Sequence, residues 1–219
     1  MLTRRRFLAA SGLALAAGGG AAQELLPVSV SPVEDPGPLR LDIGPEAVQA
    51  SLSLPPDMEG DHAIPERFRA RVVQVAPGLV PNDIHIVPQS YNLYFILPGD
   101  YAIRYGVAVG QQGLGWHGQA EIGRKVEWPS WRPTDEMIER HPERYSKYAE
   151  GMPGGPDNPL GARALYFFQG ERDTQIRVHG TTDPTSIGHQ ASNGCFRMYN
   201  SHVIDLYNRV PLGARAFAY

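Results

Sequence analysis

The chain is 219 residues long, with 20 lysines and arginines against 23 aspartates and glutamates, a formal net charge of −3. Mild acidity of this kind leaves no electrostatic footprint for nucleic acid, and a single cysteine, Cys195, excludes an intramolecular disulfide framework and most cysteine-based metal sites. The length fits one ordinary domain with a leader.

From the N-terminus, Met1-Leu2-Thr3-Arg4-Arg5-Arg6-Phe7-Leu8 precedes an apolar, small-residue run that ends in a glycine triplet and Ala21-Ala22. This is the layout of a secretory signal peptide, residues 1–22. The paired arginines ahead of Phe7-Leu8 match the twin-arginine variant. The apolar run is shorter than the ~20 residues a spanning helix needs, so the expectation is a mature form with no membrane span, in the periplasm. No cysteine lies near the cleavage region, which excludes a lipid-anchored lipoprotein. Removing residues 1–22 takes away three basic residues and no acid, so the mature balance is 17 minus 23, or −6.

Residues 23–70 are crowded with proline, glycine, serine and acids and hold no sustained period of two or 3.6, the pattern of an irregular, proline-rich leader. Order begins with the β-like run Arg71 to Val75. Asn92 to Leu97 and Tyr101 to Val107 flank Pro98-Gly99-Asp100, a β-hairpin pattern. Further short strands are expected at Ala120 to Val126, Ala164 to Phe168 and Gln175 to Val178, each bounded by turn residues. Thr134 can cap one or two helical turns reaching Arg140, with two acids at the positive end of the helix dipole. A better helix follows Asn200, with Val203, Leu206, Tyr207 and Val210 on one face, and Arg215 to Ala218 reads as a last strand. Residues 71–219 therefore predict a mainly β domain, a sandwich or partly closed barrel with one or two short helices.

The chemistry concentrates in Ile176-Arg177-Val178-His179-Gly180-Thr181-Thr182 and in Ser192-Asn193-Gly194-Cys195-Phe196-Arg197-Met198, whose cysteine lies 16 residues after the histidine. A cysteine nucleophile needs a base for its proton, and a histidine titrating near neutral pH suits that task. Backbone N–H groups beside Gly194 can cradle a developing oxyanion. His189 sits in the intervening loop and His202 opens the last helix, so solvated or capping roles are expected for both. Of the tryptophans, Trp128 and Trp131 are candidates for a cleft wall; Arg163 and Arg177 are candidates to meet carboxylates. No HExxH pattern or paired short spacing points to a metal.

The segment closely resembles the catalytic signature of the L,D-transpeptidase (YkuD-type) family. The match runs through His179-Gly180, Pro184, Ser186-Ile187-Gly188, Ser192, Gly194-Cys195, Arg197-Met198 and Asn200, with further likeness at Asn92 to Leu97, Lys125 to Pro133 and Gly151 to Gly161. The resemblance implies an exported peptidoglycan enzyme in which Cys195 attacks a stem peptide to form a thioester and His179 serves as base, then acid. It implies Ser192 and Gly194 as helpers at the turn, with Gly194 and Cys195 as oxyanion donors, and Gly180, Thr181, Asn193 and Arg197 as substrate-binding positions. Partners are stem peptides and, as one acceptor, a wall-anchored protein; no metal or organic cofactor is implied. Resolution by a second stem gives a 3→3 cross-link, and resolution by water makes an L,D-carboxypeptidase. Asn193 stands where many members carry a second histidine, so a second titrating imidazole is not available. A periplasmic wall-binding module without turnover is the alternative of another class.

Overall fold

A computed structural model of the protein describes residues 44–111 and 115–219. The expected signal peptide, residues 1–22, and the first part of the expected leader lie outside the described residues. In chain order the strands are β1 (Met58–Glu59), β2 (His62–Ala63), β3 (Arg71–Gln74), β4 (Ile84–Val87), β5 (Asn92–Leu97), β6 (Tyr101–Gly106), β7 (Val109–Gly110), β8 (Gly118–Glu127), β9 (Arg163–Gln169), β10 (Arg172–His179), β11 (Gln190–Ser192), β12 (Phe196–Arg197) and β13 (Arg215–Ala218). The helices are α1 (Pro45–Ser51), α2 (Asp135–Arg140), α3 (Pro142–Tyr145) and α4 (Asn200–Arg209).

Nine strands form one sheet in the order β12-β10-β9-β8-β13-β4-β5-β6-β3. Pairing is antiparallel except for β10 with β12 and β13 with β4. The outer strands β12 and β3 do not pair with each other, so the sheet is no closed barrel. It is nonetheless drawn round on itself, because the chain leaving β6 reaches the opposite edge: Ala108 and Arg197 exchange two backbone hydrogen bonds (2.9 and 3.0 Å), and β7 pairs with β11. The mainly β architecture read from the sequence stands, with the hairpin β5–β6 turning at Pro98-Gly99-Asp100.

One apolar cluster fills the interior. Ile84, Leu93, Phe95, Ile103, Tyr105, Phe167, Val178 and Phe196 from the sheet meet Val203, Leu206 and Val210 from α4 and the residue after it. Thr134 caps α2 as its sequence position implies, its Oγ1 accepting from the Met137 N–H at 3.2 Å. Among the described residues no helix is long and apolar enough to cross a membrane.

The segment expected to be an irregular leader differs over its described part. Residues 44–70 carry α1, the β1–β2 ribbon and a short 3-10 turn, and bury Ile64, Phe68 and Ala70. The reason is tertiary: Phe68 and Ile64 form a second cluster with Ala108, Ile187 and Tyr199. Glu59 accepts from the Asn200 and Ser201 N–H groups (2.9 and 3.0 Å), occupying donors that the first turn of α4 cannot satisfy itself. His202 also departs from expectation. It is wholly buried, lies against the Tyr105 and Tyr199 rings, and neither ring nitrogen has a hydrogen-bond partner. Val203, Leu206 and Val210 go inward with Tyr207 packed beside them, as the apolar pattern implied, and His202 joins that face.

Candidate active site

β10 and β12 run in parallel, with Val178 opposite Phe196 and His179 opposite Arg197. Side chains alternate across a strand, and Val178 and Phe196 point into the core. Their neighbours Arg177, His179, Cys195 and Arg197 therefore share the opposite face, and all four line one cleft of about 800 Å³. This volume is in the range of small-molecule sites.

The turn before Cys195 is tied by Ser192. Its hydroxyl donates to the Cys195 carbonyl oxygen and accepts from the Gly194 N–H at 3.2 Å. Gly194 holds φ 125°, a conformation that favours glycine. Because its N–H is engaged, Gly194 does not offer the oxyanion donor expected of it. The Cys195 N–H takes no partner among the described residues and remains free for that role.

His179 is buried, and its Nδ1 lies 2.6 Å from the Gly180 carbonyl oxygen. A carbonyl only accepts, which assigns the proton to Nδ1 and the lone pair to Nε2. Burial pushes the pKa of His179 down to about 4, with the charge of Arg197 adding to it and the Gly180 and Leu160 carbonyls opposing. Burial also pushes the Cys195 thiol up, against the pull of Arg177 and Arg197. The resting groups are thus a neutral imidazole and a neutral thiol, and the thiol donates to the Gln175 carbonyl oxygen at 3.6 Å. That carbonyl is available because the β9–β10 register shifts between Asp173 and Arg177, where Gln175 adopts φ 65°. Asp173 Oδ1 holds the bulge by accepting from the Gln175 N–H at 2.8 Å.

One wall of the cleft is the row Arg124, Tyr166, Arg177 across β8, β9 and β10. The other comes from the segment between Trp131 and Met152, whose ends exchange two backbone hydrogen bonds (2.9 and 2.7 Å) and whose Trp131 ring meets Tyr145 and Tyr148 edge-on. Trp131 lines the cleft and Trp128 does not; Arg177 lines it, while Arg163 pairs with Glu127 at 3.2 Å. Asn193 is exposed at the rim, with no hydrogen-bond partner among the described residues. Gly180 and Thr181 lie behind the cleft. A Cβ at Gly180 would collide with Asn200 Oδ1, and Thr181 Oγ1 accepts from the Asp183 N–H at 3.0 Å. Asn200 ties this corner together, accepting from the Ala162 N–H and donating to the Thr181 carbonyl oxygen. His189 is exposed as expected. Arg124, Tyr166 and Gln175 carried no local sequence signal, since only cross-strand register brings them to the cysteine.

The sequence matches the L,D-transpeptidase catalytic domain over residues 81–217. The chain belongs to that family. A putative L,D-transpeptidase from the ATP synthase subunits region of Fuscovulum blasticum is 38% identical over 98 residues, 45% of this chain and 47% of that protein. The putative L,D-transpeptidase YqjB of Bacillus subtilis (strain 168) is 34% identical over 140 residues, 62% of this chain and 71% of the relative. A crystal structure from Brucella melitensis, named for a different chemistry as a probable carnitine operon oxidoreductase, is 53% identical with a TM-score of 0.50, covering 69% of this chain and 93% of that one. The chain spans about half the length of several of the curated relatives it matches.

Proposed function

We propose that the chain is an exported enzyme that acts on the peptide stems of peptidoglycan through a thioester on Cys195, with His179 as base and then acid. One arrangement supports this reading. A thiol and a free backbone N–H directly before β12, and a Nδ1-protonated histidine at the end of the paired strand β10, line one ligand-sized cleft.

His179 Nε2 takes the thiol proton as the sulfur bonds to the carbonyl carbon between the L-centre of diaminopimelate and the terminal D-alanine. The carbonyl oxygen gains negative charge and accepts from the Cys195 N–H. Collapse breaks the C–N bond; His179 returns the proton to the leaving amine, and D-alanine departs. The side-chain amine of a second stem then attacks the thioester and gives its proton to His179. The 3→3 amide forms, and the sulfur leaves and regains that proton. Water in place of the amine gives the carboxypeptidase product, and the amine of a wall-anchored protein gives attachment. Ser192 holds the turn, Asn193 and Arg197 meet the substrate, and the N-terminal signal directs the enzyme to the periplasm.

Mass spectrometry of defined disaccharide tetrapeptides incubated with residues 23–219 tests this. Released D-alanine and 3→3 dimers are expected. Unchanged muropeptides, or the same products from Cys195→Ala, overturn the reading.

A further inference from the structure

The cleft is positive in a chain that is negative. Arg124, Arg132, Arg144, Arg177 and Arg197 line it against a single carboxylate, Glu150, whereas the chain as a whole carries −3. Arg132 pairs with Asp135 at 3.0 Å and Arg177 with Asp173 at 3.4 Å. Arg124, Arg144 and Arg197 have no ion pair among the described residues. Like charges gathered on one concave surface favour an anionic ligand.

Two of these guanidiniums sit on a platform. The register sets Arg124 on β8 opposite Tyr166 on β9, and Tyr166 opposite Arg177 on β10. The guanidinium carbons of Arg124 and Arg177 lie 3.8 and 4.5 Å from the Tyr166 ring centroid, and the tyrosine itself is buried. Stacking on a fixed ring holds the planar fork ready, so little side-chain freedom is lost when it grips a carboxylate. The row runs toward the nucleophile, since Arg177 and Cys195 directly precede the paired residues Val178 and Phe196.

We propose that Arg124 and Arg177, flanking Tyr166, make the site select donor stems whose side carboxyls are free, at the D-glutamyl residue and at the second centre of diaminopimelate, over stems in which they are amidated. An amide keeps the shape of the carboxyl but loses the charge and the bidentate, charge-assisted pair. The identity of the donor rests on the function proposed above, while the selection itself is readable without turnover.

The test measures affinity of the Cys195→Ala chain for matched synthetic tetrapeptide donors, free and amidated, alongside D-alanine release by the unaltered chain. The free donor binds at least about tenfold tighter at low salt, the gap narrows as salt rises, and in turnover it falls on KM more than on kcat. Arg124→Gln brings the preference to about threefold or less, and Arg124→Lys, which keeps the charge without the planar stack, falls between. Equal affinity for the two donors, or a preference that Arg124→Gln leaves intact, overturns the proposal. Selective binding without D-alanine release overturns the reaction and leaves the selection standing. Release from both donors with one KM does the reverse, and a chain that binds neither loses both.

Discussion

The two halves of the large sheet are built differently. From β13 through β4, β5 and β6 to β3 the ladders run without a register shift, whereas the β8–β9 and β9–β10 ladders each carry one. In the regular half, alternation largely sorts residues, and Leu93, Phe95 and Ile103 go inward. In the irregular half the shift at Gln175 turns a carbonyl out of the ladder toward the Cys195 thiol. Regular pairing makes the core, and its interruption makes the site.

Removing the chemistry separates the halves most sharply. Cys195→Ala should lower D-alanine release by on the order of 10³-fold or more, and His179→Ala by 10²-fold or more, with unfolding temperature little changed. Because His179 is held down to about 4, kcat/KM should stay level from neutral pH to about pH 5 and fall below it. An acid limb near pH 6.5 would show the histidine to be solvated in the working enzyme. The opposite experiment is Ile103→Ala in the regular half. It should cost about 2–5 kcal/mol by denaturant titration while the rate per folded molecule persists; a proportionate loss of rate would show that the halves are not independent.

His202 sharpens the comparison through pH. Burial holds it down to about 4 against an ordinary value of 6.5, with Glu59 and Asp205 opposing. The unfolded chain therefore binds more protons between those values, so this contribution to stability is complete above pH 6.5 and disappears as pH falls toward 4. The loss is on the order of a few kcal/mol. Thermal melts at pH 7 and 4.5 should show a smaller acid shift in His202→Phe than in the unaltered chain; an identical shift would place the proton uptake elsewhere. The smallest expected effect is at the bulge. Gln175→Gly relieves a left-handed backbone and should gain about 1 kcal/mol, raising the unfolding temperature by about 2–4 °C. A lowered temperature would mean that the glutamine side chain supports the bulge.

What was legible in the sequence was local. The β5–β6 hairpin shows as two apolar runs about a Pro-Gly-Asp turn, α2 shows as a cap followed by acids, and the two segments bearing His179 and Cys195 show as a motif. Residues whose role depends on distant partners did not show. Arg124 and Tyr166 meet only through a ladder that pairs β8 with β9. His202 reads as a polar residue at a helix start because nothing nearby in sequence announces Tyr105 beside it. Gly180 and Thr181 adjoin the histidine in the chain, yet the strand ends behind it and carries them to Asn200. Adjacency to His179 in the chain is not exposure to the cleft.

Glu59 lies 22 residues upstream of residue 81, where the match to the catalytic-domain family begins. Its carboxylate nonetheless closes the first turn of α4, which follows closely on Cys195. Phe68 occupies space against Gly106 and Gly188 so tightly that a Cβ at either glycine would strike its ring, and β3 covers one side of β6. A fragment cut at residue 81 would keep the whole family match and still uncap that helix, bare that strand and hollow out that packing. The unit that folds is thus longer than the family match, and trimming to residues 81–217 would discard part of what holds the surroundings of Cys195 in place.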